Sequence, residues 1–290
     1  MENAEILERL NAYVDTISFS MIDYDDRLEL RLLDFDPIYF CRKSPLLKYN
    51  SANWVQRKHS TGKVHEPSML AALLFILDHF PHKIKTSFDI GVLFGYFSLI
   101  IKNLFSSSKV ICLEMNPDYC HVILQNISIN SQLAAPPIEC VNVGVSNVTK
   151  IDQKVNIDGF ILREVAKSNE AINLVTLDDY CEKINTYPDL IKIDVEGYQA
   201  KIIPGGLKCI EKSKPIILLE FDNSIRLKPF NTTNKEIIRP LFAMGYSCLW
   251  CNEQRLEDGQ FINLTTEIFN QSHEKNSLAV LIHEDDLKTI

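Results

Sequence analysis

The sequence lacks the features that would announce several function classes at once. Its longest apolar run, residues 69–77, is nine residues, about half of what spans a bilayer. It has no basic excess: 30 lysines and arginines stand against 38 acids, for a formal net charge of −8. Binding to a phosphate backbone rests on a basic stripe that releases counterions, so nucleic acid is not an expected partner. No apolar h-region follows the acidic start Met1-Glu2-Asn3-Ala4-Glu5, so no secretory signal is read there and the expected location is cytoplasmic. Internal repeats, low-complexity tracts and Pro/Gly-rich linkers are also missing.

What is present is the material of a globular domain. Apolar residues make up 46% of the 290, enough to close a sizeable core without staples. The eight cysteines then read as reduced, mostly buried thiols. The sequons Asn231-Thr232-Thr233 and Asn263-Leu264-Thr265 read as chance matches.

Residues 1–64 show no sustained period and are expected to form a helical or irregular extension with a helix or two. From residue 67 to 79, Met69, Leu70, Leu73, Leu74 and Leu77 recur at helical spacing, which predicts an amphipathic helix. Beyond it, short apolar runs alternate with helical stretches. Strands are predicted at 87–91, 110–114, 138–145, 190–194, 215–221, 246–250 and 277–283, with helices at 96–105 and 235–244 between them. Such alternation implies a mainly parallel sheet covered on both faces. Residues 149–176 break the rhythm and read as a hairpin insertion or lid. One α/β domain over 65–290, with an N-terminal extension, is the economical organisation.

Ligands of open α/β sheets bind beyond the carboxyl ends of the strands. The first strand runs into Asp89-Ile90-Gly91-Val92-Leu93-Phe94-Gly95-Tyr96. A dinucleotide fingerprint needs bare backbone against a pyrophosphate, but its second and third glycines would fall at Leu93 and Tyr96, which argues against NAD or FAD. The spacing Asp-x-Gly-x-x-x-Gly suits a ligand without phosphates. Gly91 allows a tight turn, Gly95 allows the next helix to approach the ligand, and Asp89 offers a carboxylate to an amine. Glu114 ends the second strand 23 positions past Gly91, where an acid can accept from a ribose diol. S-adenosylmethionine has an amine, a ribose diol and no phosphate. A purely structural turn and a solvated strand-end acid are the plainer alternatives.

Leu190-Ile191-Lys192-Ile193-Asp194-Val195-Glu196-Gly197 runs from a strand toward a helix. Together with Phe88-Asp89-Ile90-Gly91 and Glu114, it resembles the FkbM family of S-adenosylmethionine-dependent methyltransferases. Glu66-Pro67, Asn142-Val143-Gly144 and Thr176-Leu177-Asp178-Asp179 agree with the same family, over roughly residues 65–225. The chain departs from the family in the greasy Val92, Leu93 and Phe94 between its glycines. The resemblance implies a class I methyltransferase (Rossmann-like) fold: α/β, with seven strands, mainly parallel, the last antiparallel. It also implies that Glu66, Asp89, Gly91, Gly95, Glu114 and Asp194 line the cofactor, with Asn142 nearer the adenine.

Methyl transfer to an alcohol calls for a general base near the methyl group. Asp194 and Glu196, at the mouth of the fourth strand, are the candidates, although an acid at Glu196 would equally suit a helix start. Glu220 and Asp222 add oxygens near the same edge, and with Asp194 they would suit Mg²⁺. Strand-end acids are common, however, and no metal is assigned. Cys248 and Cys251 form a C-x-x-C without a second ligand pair, and His65 is left as a loop residue. The expected activity is O-methylation of a hydroxyl on a sugar, glycan or related small molecule, with oligomeric state open. The alternative is a scaffold that binds the cofactor and performs no chemistry.

Overall fold

The computed structural model describes residues 3–42, 50–133, 135–158, 161–165, 170–253, 259–264 and 276–290. Parts of the expected extension (1–2 and 43–49) and of the expected insertion (159–160 and 166–169) lie outside them, as does Thr265 of the second sequon. The chain opens with helix α1 (Asn3–Thr16), strands β1 (Phe19–Asp23), β2 (Arg27–Leu32) and β3 (Ile38–Cys41), and helix α2 (Ser51–Lys58). It continues through α3 (Pro67–His79), β4 (Thr86–Ile90), α4 (Tyr96–Leu104), β5 (Lys109–Glu114), α5 (Pro117–Ile129), β6 (Ile138–Asn142) and β7 (Gly144–Ser146). After β8 (Lys150–Asp158), β9 (Ile161–Glu164) and β10 (Ala171–Thr176) come α6 (Leu177–Ile184), β11 (Leu190–Ile193), α7 (Gln199–Ile202) and α8 (Leu207–Ser213). The last part holds β12 (Ile216–Phe221), α9 (Ser224–Leu227), α10 (Asn234–Ala243), β13 (Tyr246–Cys251), β14 (Phe261–Asn263) and β15 (Ser277–His283).

The main sheet has the order β14-β13-β15-β12-β11-β4-β5-β6. Strands β4, β5, β6, β11 and β12 pair in parallel, while β15 runs antiparallel to both β12 and β13. This is the expected mainly parallel sheet with its last strand antiparallel, extended by an eighth strand, β14, on the edge. From β4 the chain builds outward to β6, then returns to add β11 on the other side of β4. The order therefore reverses between β4 and β11, the kind of crevice in which doubly wound sheets bind ligands.

Side chains alternate between two cores, as the period of 2 in a strand requires. Leu190, Ile216, Leu218, Val280 and Ile282 face one side with α1, α3 and α4. Ile191, Ile193, Ile217, Leu219 and Leu281 face the other with α6, α8 and α10. Strands buried on both faces read as continuous β-branched runs, which is why they were visible in the sequence.

Two expectations change. Helix α3 is not amphipathic: every residue from Pro67 to Ile76 is buried, because α1 covers its outer side with Ile6, Leu10 and Val14. The N-terminal segment also carries an antiparallel sheet, β1-β2-β3, besides its helices. That sheet is held by two buried asparagines four residues apart, Asn126 on α5 and Asn130 at its C-terminal cap. Asn130 exchanges hydrogen bonds with the main chain of Tyr39 (2.8 and 2.7 Å), and Asn126 Oδ1 accepts from the Cys41 N–H at 2.8 Å. The amide side chains thus continue the ladder of β3 where a further strand would lie. In the 149–176 region, β8 pairs with β9 and β10, and β10 joins it to β7.

Candidate functional site

A cleft opens at the reversal point, over the carboxyl ends of β4, β5 and β11, where doubly wound sheets hold their ligands. Its floor is the turn after β4. Gly91 has φ +79°, and a Cβ there would fall 1.9 Å from the Asp194 main-chain oxygen. Only glycine lets the two strand ends approach so closely. Glu114 holds the next residues in place: its Oε2 accepts the N–H groups of Val92 and Leu93, both at 3.0 Å, and its Oε1 accepts from Asn116 at 2.9 Å. Burial raises the pKa of this carboxyl, and the three main-chain donors oppose that shift.

The facing rim is the segment after β11. Asp194 donates its N–H to the Ile90 oxygen at 3.1 Å, and its carboxylate lies 3.4 Å from Lys192 Nζ. Glu196 pairs with Arg226 Nε at 3.0 Å. It does not cap α7, whose N-cap is Tyr198. Gly197, at φ +97°, passes close under Arg226 and donates its N–H to Asp222 Oδ2 at 2.6 Å.

A third wall comes from the N-terminal segment: Trp54 and Lys58 of α2, then His65 and Glu66. Trp54 meets His65, Phe94 and Tyr96 edge-on. Met115, Tyr119, Val143, Gly144 and Val145 line the remaining, mostly apolar side with Tyr198 and Ile202. The Tyr198 hydroxyl donates to Glu164 of β9 at 2.8 Å, which links the 149–176 segment to this wall. Three of the lining residues, Glu66, Leu93 and Glu196, are non-glycines with φ between 52° and 56°. Each such residue costs roughly 1–2 kcal/mol, and such strain gathers at functional sites.

The cleft brings together Glu66, Gly91, Glu114, Asp194 and Glu196. Three other sequence candidates stand elsewhere. Asp89 is fully buried off the cleft, where it takes a 2.5 Å hydrogen bond from Ser98 Oγ and lies 3.3 Å from Lys192 Nζ. Its charge is committed to the interior and does not face a ligand amine. Gly95 is needed for its φ of +83° at the start of α4; a Cβ there would meet only Ile123 at ordinary distance, so close approach to a ligand is not its purpose. Asn142 is exposed beside the cleft and donates to the main-chain oxygens of Glu114 and Met115 (3.0 and 2.9 Å), so it fixes the end of β5.

Trp54 and Lys58 were not foreseen, because residues 42–63 carry no readable period. Lys192 was quoted only as part of a motif, although a lysine within a buried apolar run demands a buried partner. Behind the rim, Glu220 is raised well above the usual carboxylate range by burial and then by Asp194, to which it is hydrogen-bonded. Burial, followed by Asp194 and Glu196, raises Asp222 to about 7. Among the described residues, no group of three or more His, Cys, Asp or Glu side chains is arranged to hold a metal ion. Also among them, no helix is long and apolar enough to cross a membrane. The donor set, acids around a glycine turn with an apolar wall beside it, fits a ligand with cationic centres and an aromatic ring system.

The family model "Methyltransferase FkbM domain" matches residues 89–248. Among solved structures, the chain is similar to the FkbM methyltransferase of Methylobacillus flagellatus KT, at 13% identity and a TM-score of 0.43 over 78% of this chain and 57% of that one. It is also similar to a TehB-like SAM-dependent methyltransferase of Corynebacterium glutamicum, at 11% identity and a TM-score of 0.40 over 80% and 97%. A third likeness is to an O-methyltransferase of Bacillus cereus in complex with SAH, at 14% identity and a TM-score of 0.40 over 82% and 93%. The chain spans little more than half of the length of the Methylobacillus protein. No curated protein matches it in sequence. The family match takes in more than half of the chain, including the glycine turn, Glu114 and the Asp194–Gly197 rim of the cleft, and the chain belongs to the FkbM family of S-adenosylmethionine-dependent methyltransferases.

Proposed function

We propose that the chain transfers a methyl group to a hydroxyl of a sugar, glycan or related small molecule, with Glu66, Gly91, Glu114 and Asp194 holding the cofactor. S-adenosylmethionine, when bound, supplies an electrophilic methyl carbon on a sulfonium. The observation that carries this reading is the place of Asp194. It lies on the cleft wall in backbone contact with the glycine turn, with its side chain 28% exposed. With an acceptor hydroxyl beside it, the Asp194 carboxylate would accept the hydroxyl proton. Both acids have a cationic neighbour, but Arg226 holds Glu196 at 3.0 Å, closer than Lys192 stands to Asp194 at 3.4 Å, so Glu196 is the less suitable base. The acceptor then lies toward Trp54, Lys58 and His65, the wall given by the N-terminal segment.

Calorimetric titration with S-adenosylhomocysteine tests the cofactor half of the reading. Micromolar binding that weakens in Glu114→Ala is expected, and no binding in that range overturns it. The acceptor half is tested by methyl transfer from labelled cofactor to a panel of neutral and acidic glycans. A binding-only scaffold draws support from Leu93 on the cleft wall. Tight cofactor binding with no transfer to any acceptor would favour that second reading.

A further inference from the structure

Lys192 has no part in the reaction as read above, yet it sits at the centre of the site. On β11 it stands in register with Asp89 of β4, in a strand otherwise made of leucine and isoleucine, and it is 2% exposed. Its ammonium has three N–H donors and no acceptor. It donates to the Gly91 main-chain oxygen at 3.1 Å and lies 3.3 Å from Asp89 Oδ1 and 3.4 Å from Asp194 Oδ2. The ring of Phe97 lies beneath it, 5.4 Å from Nζ. Neutralising Asp89 would need only the first of these ion pairs. The other two contacts reach residues that line the cleft, one on each side of the reversal point.

We propose that Lys192 is a positioning residue of the cofactor site: it ties the carbonyl of the glycine turn to the Asp194 carboxylate and so fixes the two halves of the cleft floor relative to each other. The tie is needed because β4 and β11 end side by side, and their own ladder stops at Ile90 and Ile193. Beyond that point, Asp194 N–H to Ile90 O is the main-chain link, and the Lys192 ammonium is the side-chain link. Burial works against the charged ammonium, but Asp89, Asp194, Glu66 and Glu220 outweigh it and hold the lysine pKa above its ordinary value. The ammonium is therefore a permanent cation under the site. This inference rests on the cofactor reading above.

The test uses S-adenosylhomocysteine binding to the full chain by calorimetry, with thermal unfolding of the same samples. Removing one member of a buried ion pair destabilises strongly, whereas removing both together is often neutral. The Asp89→Asn/Lys192→Met double variant is therefore expected to melt near the native temperature while its affinity falls by roughly tenfold or more, as misplacement of binding groups does. In that variant Asp194 keeps Glu220 and Asp222 as neighbours without the ammonium. A carboxylate so placed takes up a proton more readily, so as pH is lowered the variant's affinity is expected to fall at a higher pH than that of the native protein. Lys192→Gln, which leaves a donor for Asp89, is the second variant should the first not fold, and the same loss of affinity is expected. Native binding together with unchanged affinity in the folded variant overturns this proposal alone, and so does a defect in which stability and affinity recover together. No binding by the native protein overturns the cofactor reading and this proposal with it.

Discussion

A methyl carbon added at Gly91 would lie 1.9 Å from the main-chain oxygen of Asp194. The turn after β4 and the acidic turn after β11 therefore meet backbone to backbone, and no side chain can stand between them. Gly91→Ala must both adopt a left-handed φ and push the two strand ends apart. A loss of about 2–5 kcal/mol in unfolding free energy is expected, measured by urea titration. S-adenosylhomocysteine affinity should fall with it in whatever fraction remains folded.

Asp194 and Glu196 are two residues apart on one rim, but their surroundings differ. Glu196 is held by Arg226 at 3.0 Å, whereas Asp194 faces the cleft with Lys192 and Glu220 behind it. Asp194→Asn is expected to lower the rate of methyl transfer by about 10²–10⁴, the usual contribution of a positioned base. Glu196→Gln should lower it by no more than about tenfold. Single-turnover transfer from labelled cofactor, once an acceptor is identified, separates the two. Equal losses would return the two acids to the same standing.

Much of the fold was legible because the central strands are buried on both faces. Runs such as Ile216-Ile217-Leu218-Leu219 have few alternatives to a strand between helical layers. The stretch 138–145 misled, because the chain leaves the main sheet at Val143 and β7 pairs with β10 instead. Nothing in an apolar run marks such a change of partner. Of the cleft lining, Gly91 and Glu114 were legible from spacing relative to the strand ends, and Asp194 and Glu196 from the motif that carries the family resemblance. The pairing of Asp89 with Lys192 was not legible, because the two lie about a hundred residues apart in sequence and meet only through strand pairing. Trp54 and Lys58 reach the cleft through the docking of the N-terminal sheet on α5, a tertiary arrangement that leaves no periodic trace.

Asp222 makes folding depend on pH in a direction opposite to that of a salt-bridged acid. Burial and the charges of Asp194 and Glu196 raise its carboxyl to about 7, from about 4 in an unfolded chain. Between those values the folded protein holds a proton that the unfolded chain has released. This group's contribution therefore favours folding below about pH 4 and is lost as pH rises through about 7. Asp222→Asn removes that dependence and leaves an oxygen for the Gly197 N–H. Relative to the native protein, the variant should gain more stability at pH 8 than at pH 5, where only part of the native contribution has been lost, as read from urea midpoints at the two values. A constant difference across that range would mean that Asp222 is ionised throughout.

Asn126 joins the N-terminal segment to the cleft through a single amide. Its Oδ1 accepts from the Cys41 N–H at 2.8 Å and from Ser51 Oγ at 3.1 Å, and its Nδ2 donates to the Phe94 oxygen at 2.8 Å. It is fully buried, so Asn126→Ala leaves three polar groups without that partner. One lies on β3, one at the start of α2 and one in the glycine turn. Ser51 Oγ keeps its bond to the Cys41 main-chain oxygen at 2.9 Å, so two groups are orphaned at about 1–3 kcal/mol each, a summed loss that reaches the stability of a marginal domain. Asn126→Asp, which keeps the oxygen and loses the donor, is expected to cost less and to act mainly through the Phe94 carbonyl. Because α2 carries Trp54 and Lys58, the milder variant should also alter the tryptophan emission of the folded protein. Fluorescence and urea unfolding of the two variants together test whether β3, α2 and the glycine turn are held as one unit. An alanine variant as stable as the native chain would show that the three are anchored independently.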